Sequence, residues 1–188
     1  MIHHGRVVKA VRSLLVALDY DPSDAALVDT PERVARAWAE QLAGVNQKAE
    51  EILGATFDAA RYDEIILLRD IPFHSTCEHH LLPFHGTADV AYVPKVTARV
   101  VGLSKLARLV DLHARRLQLQ ERMTQGIADD LARVIEPAGV AVVVRAQHLC
   151  MCARGVGKPG AVMVTSVMRG CFRDAPEARA ELMSLLAM

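Results

Sequence analysis

The sequence predicts an α+β domain, an antiparallel sheet with helices over one face, preceded by a helical segment. Three patterns lead there. Apolar residues recur at helical spacing in the N-terminal part, strand-type runs and alternations begin after Gly54, and from residue 60 onward the elements fall in the order two strands, two helices, two strands. The division that follows is 1–58 for an N-terminal helical segment and 59–188 for the domain carrying the chemistry. The two form one structural unit, and 188 residues are enough for a proper core.

Val7, Val11, Leu14, Leu15 and Leu18 give a first amphipathic helix that stops near Asp19-Tyr20-Asp21-Pro22. Thr30-Pro31-Glu32 opens a second, with Thr30 as N-cap, Pro31 at the first helical position, and Val34, Trp38 and Leu42 as the buried stripe. Ile65 to Ile71 is an apolar run ending at Pro72, and Thr87 to Val93 alternates as a strand does. Ser104 is placed to cap a helix carrying Leu106, Leu109, Val110 and Leu112. A longer helix begins at Gln118-Leu119-Gln120-Glu121-Arg122, buries Met123, Ile127, Leu131 and Val134, and ends before Pro137. Val140 to Cys150 reads as a buried strand, Arg154 to Gly160 as a basic turn-rich loop, Ala161 to Met168 as a second extended stretch, and Ala175 to Leu186 as a closing helix.

Charge excludes some partners. Lys plus Arg equals Asp plus Glu at 22 each, so the balance suits neither a nucleic-acid nor a membrane-surface binder. No apolar stretch is long enough to span a membrane, and the N-terminus has no signal-peptide pattern. Four cysteines, three of them in or near two short clusters, point to metal chemistry in a reducing cytoplasm instead of a disulfide framework. The mean hydropathy of +0.18 hints at apolar surface buried between subunits.

The chemistry is concentrated in Cys77-Glu78-His79-His80. Residues three apart share a face on a helical turn, so Cys77 and His80 can reach one point, and both are zinc ligands by preference. A third ligand is available in His148-Leu149-Cys150, where positions two apart on a strand point the same way. Cys77, His80 and Cys150 make a set one short of a closed tetrahedron, the arrangement that leaves room for an activated water. Spacing alone also allows a disulfide or two buried thiols. His79 and His148 adjoin the proposed ligands without being needed as ligands, which suits proton transfer near neutral pH. Lys105 and Arg108 on the first turns of a helix are either a phosphate site or solvated surface charges.

Four blocks in this order, Ser75-Thr76-Cys77-Glu78-His79-His80, Gly102 to Arg108, Gln118 to Arg122 and His148-Leu149-Cys150, resemble the signature of GTP cyclohydrolase I. The similarity runs from about Thr30 to Phe172. It implies a tunnelling fold, in which ββααββ units assemble into a barrel and two rings stack as a homodecamer with sites between subunits. It implies Zn2+ on Cys77, His80 and Cys150, with His79 and His148 moving protons. By the same resemblance Ser104, Lys105, Arg108 and Arg154 hold the triphosphate, Arg33 reaches a neighbouring subunit's site, and Gln120 and Glu121 hold the guanine ring. The implied reaction turns GTP and water into 7,8-dihydroneopterin triphosphate and formate, the first step of tetrahydrofolate and pterin biosynthesis. Cys152 departs from the pattern, and an inert thiol is the expected reading. Rival readings are a related nitrile reductase with a cysteine nucleophile and a nicotinamide cofactor, and a non-catalytic protein retaining nucleotide binding.

Overall fold

The computed structural model of the chain describes residues 2–54, 56–58, 62–95 and 99–188. The expected boundary between 58 and 59 abuts residues 59–61, which lie outside the described residues. Helix α1 (His4–Ala17) packs on α2 (Thr30–Gln41), and a 3-10 turn (Ala43–Asn46) and α3 (Ala49–Leu53) follow. Thr30 is the first helical residue and not the cap, which is Asp29. Pro31 therefore sits second, where its missing N–H is still one of the four that have no partner inside the helix. On α2 the buried residues are Pro31 and Ala35, while Val34, Trp38 and Leu42 are half-buried. Helix α1 buries no residue fully, and Leu14, Val16 and Leu18 on it or at its end remain more than half exposed. Its apolar side is only partly covered within one chain.

Strand β1 (Thr56–Asp58) is followed by β2 (Ile66–Cys77), β3 (Pro83–Val93) and β4 (Arg99–Val101), then by α4 (Leu103–Ala114), β5 (Leu117–Gln118) and α5 (Gln120–Ile135). The chain closes with β6 (Gly139–His148), a helical turn α6 (Leu149–Cys152), β7 (Met163–Gly170), the short α7 (Cys171–Asp174) and α8 (Pro176–Ala187). β1 and β4 form a separate antiparallel ribbon, and the main sheet runs β5-β2-β3-β6-β7. All its pairings are antiparallel except β2 with β5.

The strands depart from expectation in instructive ways. β2 does not stop at Pro72 but runs on to Cys77. Among the described residues its only neighbour beyond β3 is β5, which reaches just Thr76 and Cys77, so at Pro72 there is no second ladder to lose a hydrogen bond. The register of β2 against β3 shifts between Leu68 and Ile71, where Asp70 adopts a positive φ of 52° and its N–H donates to the buried carboxylate of Asp89 at 2.8 Å. β6 ends at His148, two residues before the expected limit, so Cys150 lies on α6.

The core explains the layering. Leu106, Leu109 and Val110 on α4 and Met123, Ile127 and Leu131 on α5 recur at helical spacing and pack on Phe73, Phe84, Val90, Tyr92, Val142 and Val144 of the sheet. Each such fully buried side chain contributes about 1.5–3 kcal/mol, which makes this face the main source of stability. Helices do not occupy one face only. The alternate residues Ala91, Ala141 and Val143 point the other way and meet Phe172, Leu182 and Leu186 of α7 and α8.

Helices α4 and α5 meet closely at one polar point. His113, buried near the end of α4, pairs through Nε2 with Asp130 on α5 at 2.9 Å, and burial holds its pKa below the ordinary histidine value against that partner's pull. Gly126 makes the approach possible, since a Cβ there would lie 2.7 Å from two atoms of the His113 ring. Gly126→Ala should therefore destabilise the fold by about 1–2 kcal/mol, because the overpacking penalty exceeds alanine's gain in helix propensity. Urea unfolding of the two proteins measures this, and a stabilised variant would show that the helices can part at no cost.

Candidate metal centre and active site

The turn between β2 and β3 is held by its own backbone. Cys77 N–H donates to Leu82 O and Leu81 N–H to Cys77 O, both at 2.9 Å, with Leu81 at a positive φ of 55°. This curls residues 77–81 so that His80 Nδ1 lies 3.7 Å from Cys77 Sγ. β6 pairs with β3 so that His148 stands opposite Phe84, next to this turn. The chain then winds into α6, and Cys150 meets the pair from that side. The ligand atoms of Cys77, His80 and Cys150 all lie within 4.8 Å of one another, and no other cluster of three such residues occurs among the described residues. The strand alternation expected to align His148 with Cys150 is thus replaced by a helical turn after the strand, with the same convergence.

The set fits zinc. Two ligands about 2.3 Å from a tetrahedral centre stand about 3.8 Å apart, close to the Cys77–His80 separation, and two thiolates with one imidazole are a preferred donor set. Burial, and then the neighbouring Cys77, push the Cys150 thiol above its ordinary pKa. A cation between the sulfurs reverses that, because binding deprotonates the thiol. Cys152 is on the same turn but its thiol donates to Lys158 O at 3.5 Å, outside the cluster.

His148 is fixed from two directions. Its ring stacks on Phe84 with centroids 4.6 Å apart and planes 4° from parallel, and its Nε2 lies 2.8 Å from Gln120 Oε1. Gln120 is only 1% exposed, and its Nε2 faces Val144 O, Met163 O and Thr165 Oγ1, each at 3.1 Å. Two of those are backbone carbonyls, which can only accept, so the amide nitrogen must point at them and the amide oxygen at His148. That places the histidine proton on Nε2 and leaves Nδ1 as the lone-pair nitrogen. The amide N–H groups of Gln120 face β6 and β7. Burial is the main reason His148 sits below the usual histidine pKa. His148 and Cys150 border a cavity of about 320 Å³ lined also by Met151, Ala161, Val162 and Met163.

The other expected residues divide into groups. His79 is exposed on the turn, its ring edge-on to His80 with centroids 6.2 Å apart, and Arg154 places a guanidinium nitrogen 3.3 Å from His80 Nε2. Glu121 is exposed on the first turn of α5. Ser104 does not cap α4; Gly102 occupies that position and Ser104 is exposed one residue inside the helix. Lys105 and Arg108 line a cavity of about 420 Å³ with Gln47, Glu51, Ile52, Asp111 and Arg115. None of Cys77, His79, His80, His148 or Cys150 borders it. Helix α4 explains the separation. Its last turn is tied to Gln118, beside Cys77, while Lys105 sits about 12 Å back along the axis at 1.5 Å per residue. Arg33 is exposed on α2 and bonds Asp29 at 3.1 Å. A residue that sequence reasoning left without a role, Arg122, pairs with Glu78, and both belong to the quoted motifs.

Comparison with known proteins gives consistent matches over nearly the whole chain. The family model described as GTP cyclohydrolase I matches residues 7–187. The GTP cyclohydrolase 1 of Thermobifida fusca is 54% identical over 185 residues, covering 98% of this chain and 89% of that protein. That of Mycolicibacterium vanbaalenii is 53% identical over 182 residues (97% and 90%), and that of Thermoanaerobacter pseudethanolicus is 50% identical over 186 (99% and 98%).

Purified protein should carry about one zinc per chain, since three ligands converge and each is needed for tight binding. Cys150→Ser should lose the metal on dialysis against a chelator while Cys152→Ser keeps it. Metal analysis decides, and the opposite pattern would move the ligand role to Cys152.

Proposed function

Because the chain belongs to the GTP cyclohydrolase I family, we propose that it converts GTP and water to 7,8-dihydroneopterin triphosphate and formate, with zinc on Cys77, His80 and Cys150. The observation that carries this reading is the convergence of those ligands beside a histidine whose tautomer is fixed. Cys77, His80 and Cys150 would hold the zinc, which would supply Lewis-acid activation of a water for attack at C8 of the purine. The protein's own residues do the rest. His148 exchanges a proton through Nδ1, because Nε2 is held by Gln120. His79, exposed on the turn, is the second proton carrier, and together they serve protonation at N7, ring opening with loss of formate, and closure of the six-membered ring. Glu121 recognises guanine, since a carboxylate accepts two hydrogen bonds from N1–H and the 2-amino group. Lys105, Arg108, Ser104 and Arg154 hold the triphosphate.

The site is shared between copies of the chain. Lys105 and Arg108 line a cavity apart from the metal ligands, α1 leaves apolar side chains uncovered, and Arg33 lies exposed on α2, held only by a surface pair with Asp29. These features support a high-order homo-oligomer built as a tunnelling-fold barrel, the decamer that the family implies. The four free cysteines suit a reducing cytoplasm, and no helix among the described residues is long and apolar enough to cross a membrane. The pathway assignment, the first step of tetrahydrofolate and pterin biosynthesis, follows from the product.

Zinc-loaded protein incubated with GTP should release one formate for each GTP consumed, and intact GTP would remove the reading. ITP lacks the 2-amino group and leaves one carboxylate oxygen of Glu121 unsatisfied, so wild type should disfavour it by roughly 10⁴-fold in kcat/KM. Glu121→Ala should narrow that ratio while lowering kcat/KM for GTP. An unchanged ratio at equal zinc content would take guanine recognition away from Glu121.

A further inference from the structure

Glu78 follows Cys77 directly, yet its carboxylate is not one of the clustered ligands. Both of its oxygens are engaged by Arg122 on the first turn of α5, Oε2 by one terminal nitrogen and Oε1 by the other, each at 2.8 Å. Its backbone N–H also donates to Gln118 O at 3.1 Å. One residue thus ties the ligand turn, by main chain and by side chain, to the segment 118–122. That segment carries Gln120, which holds His148, and Glu121. Within the turn the backbone bonds between Cys77 and Leu81–Leu82 set its curl, while the side chains of His79, His80 and Leu81 are exposed.

We infer that Glu78 and Arg122 are positioning residues, a latch that keeps the His80 side of the metal centre in register with the start of α5. The inference rests on the functional reading above for its purpose and on the ion pair for its substance. The pair is too exposed, at 28% for the Glu78 side chain and 55% for Arg122, to matter much for global stability. Its two parallel bonds instead restrict angle as well as distance, which a single contact does not. Only arginine offers that planar fork, so lysine cannot replace it.

The test is zinc affinity by chelator competition, the absorption spectrum of the cobalt-loaded protein, and the thermal midpoint of the metal-free protein. These are compared for wild type, Glu78→Gln, Arg122→Gln, Arg122→Lys and the double variant Glu78→Gln/Arg122→Gln. The latch requires each single variant to bind zinc about tenfold more weakly with an altered cobalt spectrum and an unmoved metal-free midpoint, as for other groups that orient metal ligands. Arg122→Lys should not recover the affinity, and the double variant should be no worse than the weaker single. Wild-type affinity in the single variants, losses that multiply in the double, or a midpoint that falls with the affinity would each overturn it. Affinity is read without substrate, so weakened metal binding in a chain that releases no formate from GTP would keep the latch and remove the functional reading.

Discussion

The register of β3 against β6 is the constraint on which the site depends. With Phe84 opposite His148, β6 ends beside the turn that carries Cys77 and His80, and the next two residues bring Cys150 to them. A slip of one residue would send every side chain of β6 to the other face, losing Val142 and Val144 from the core and the Phe84–His148 stack together. The core packing under α4 and α5 therefore fixes the metal ligands as well as the fold. Stability and chemistry are set by one pairing.

Around that pairing, polar groups are arranged so that few are free. The two amide hydrogens of Gln120 are shared among two carbonyls of neighbouring strands and a threonine hydroxyl, which leaves its carbonyl oxygen facing His148. Thr124 and Thr165 complete the network behind it, with Thr124 donating to Gln120 O at 2.7 Å and the two hydroxyls 2.6 Å apart. A network satisfied in this way is rigid, and removing one member leaves the others unpaired in the interior. The histidine's proton-bearing nitrogen is thus decided by a side chain of α5 that β6 and β7 hold in place. Lys105 and Arg108, by contrast, stand on the first turns of α4 beside a cavity apart from this network.

Much of this was legible in the sequence, and the parts that were not share a cause. The Cys77 and His80 spacing is local, so it could be read, and the helices of the core showed themselves by period. Pro72 read as a terminator because nothing nearby reveals that β2 has almost no outer neighbour there. Strand β5, two residues long, has no pattern to display. The closing helix was visible as a helix, but the face it covers is chosen by Ala91, Ala141 and Val143, which lie far from it in sequence. Gln120 shows the same limit most clearly, since its partners are 24 to 45 residues away and its burial is invisible to any local reading.

The central claim is a centre with two cysteine sulfurs, one histidine nitrogen and one open position. X-ray absorption at the zinc edge of the loaded protein measures that directly. The account predicts two sulfurs at about 2.3 Å and two lighter ligands at about 2.0–2.1 Å, one of them exchangeable with solvent. Three sulfurs, or four ligands that all come from the protein, would contradict it.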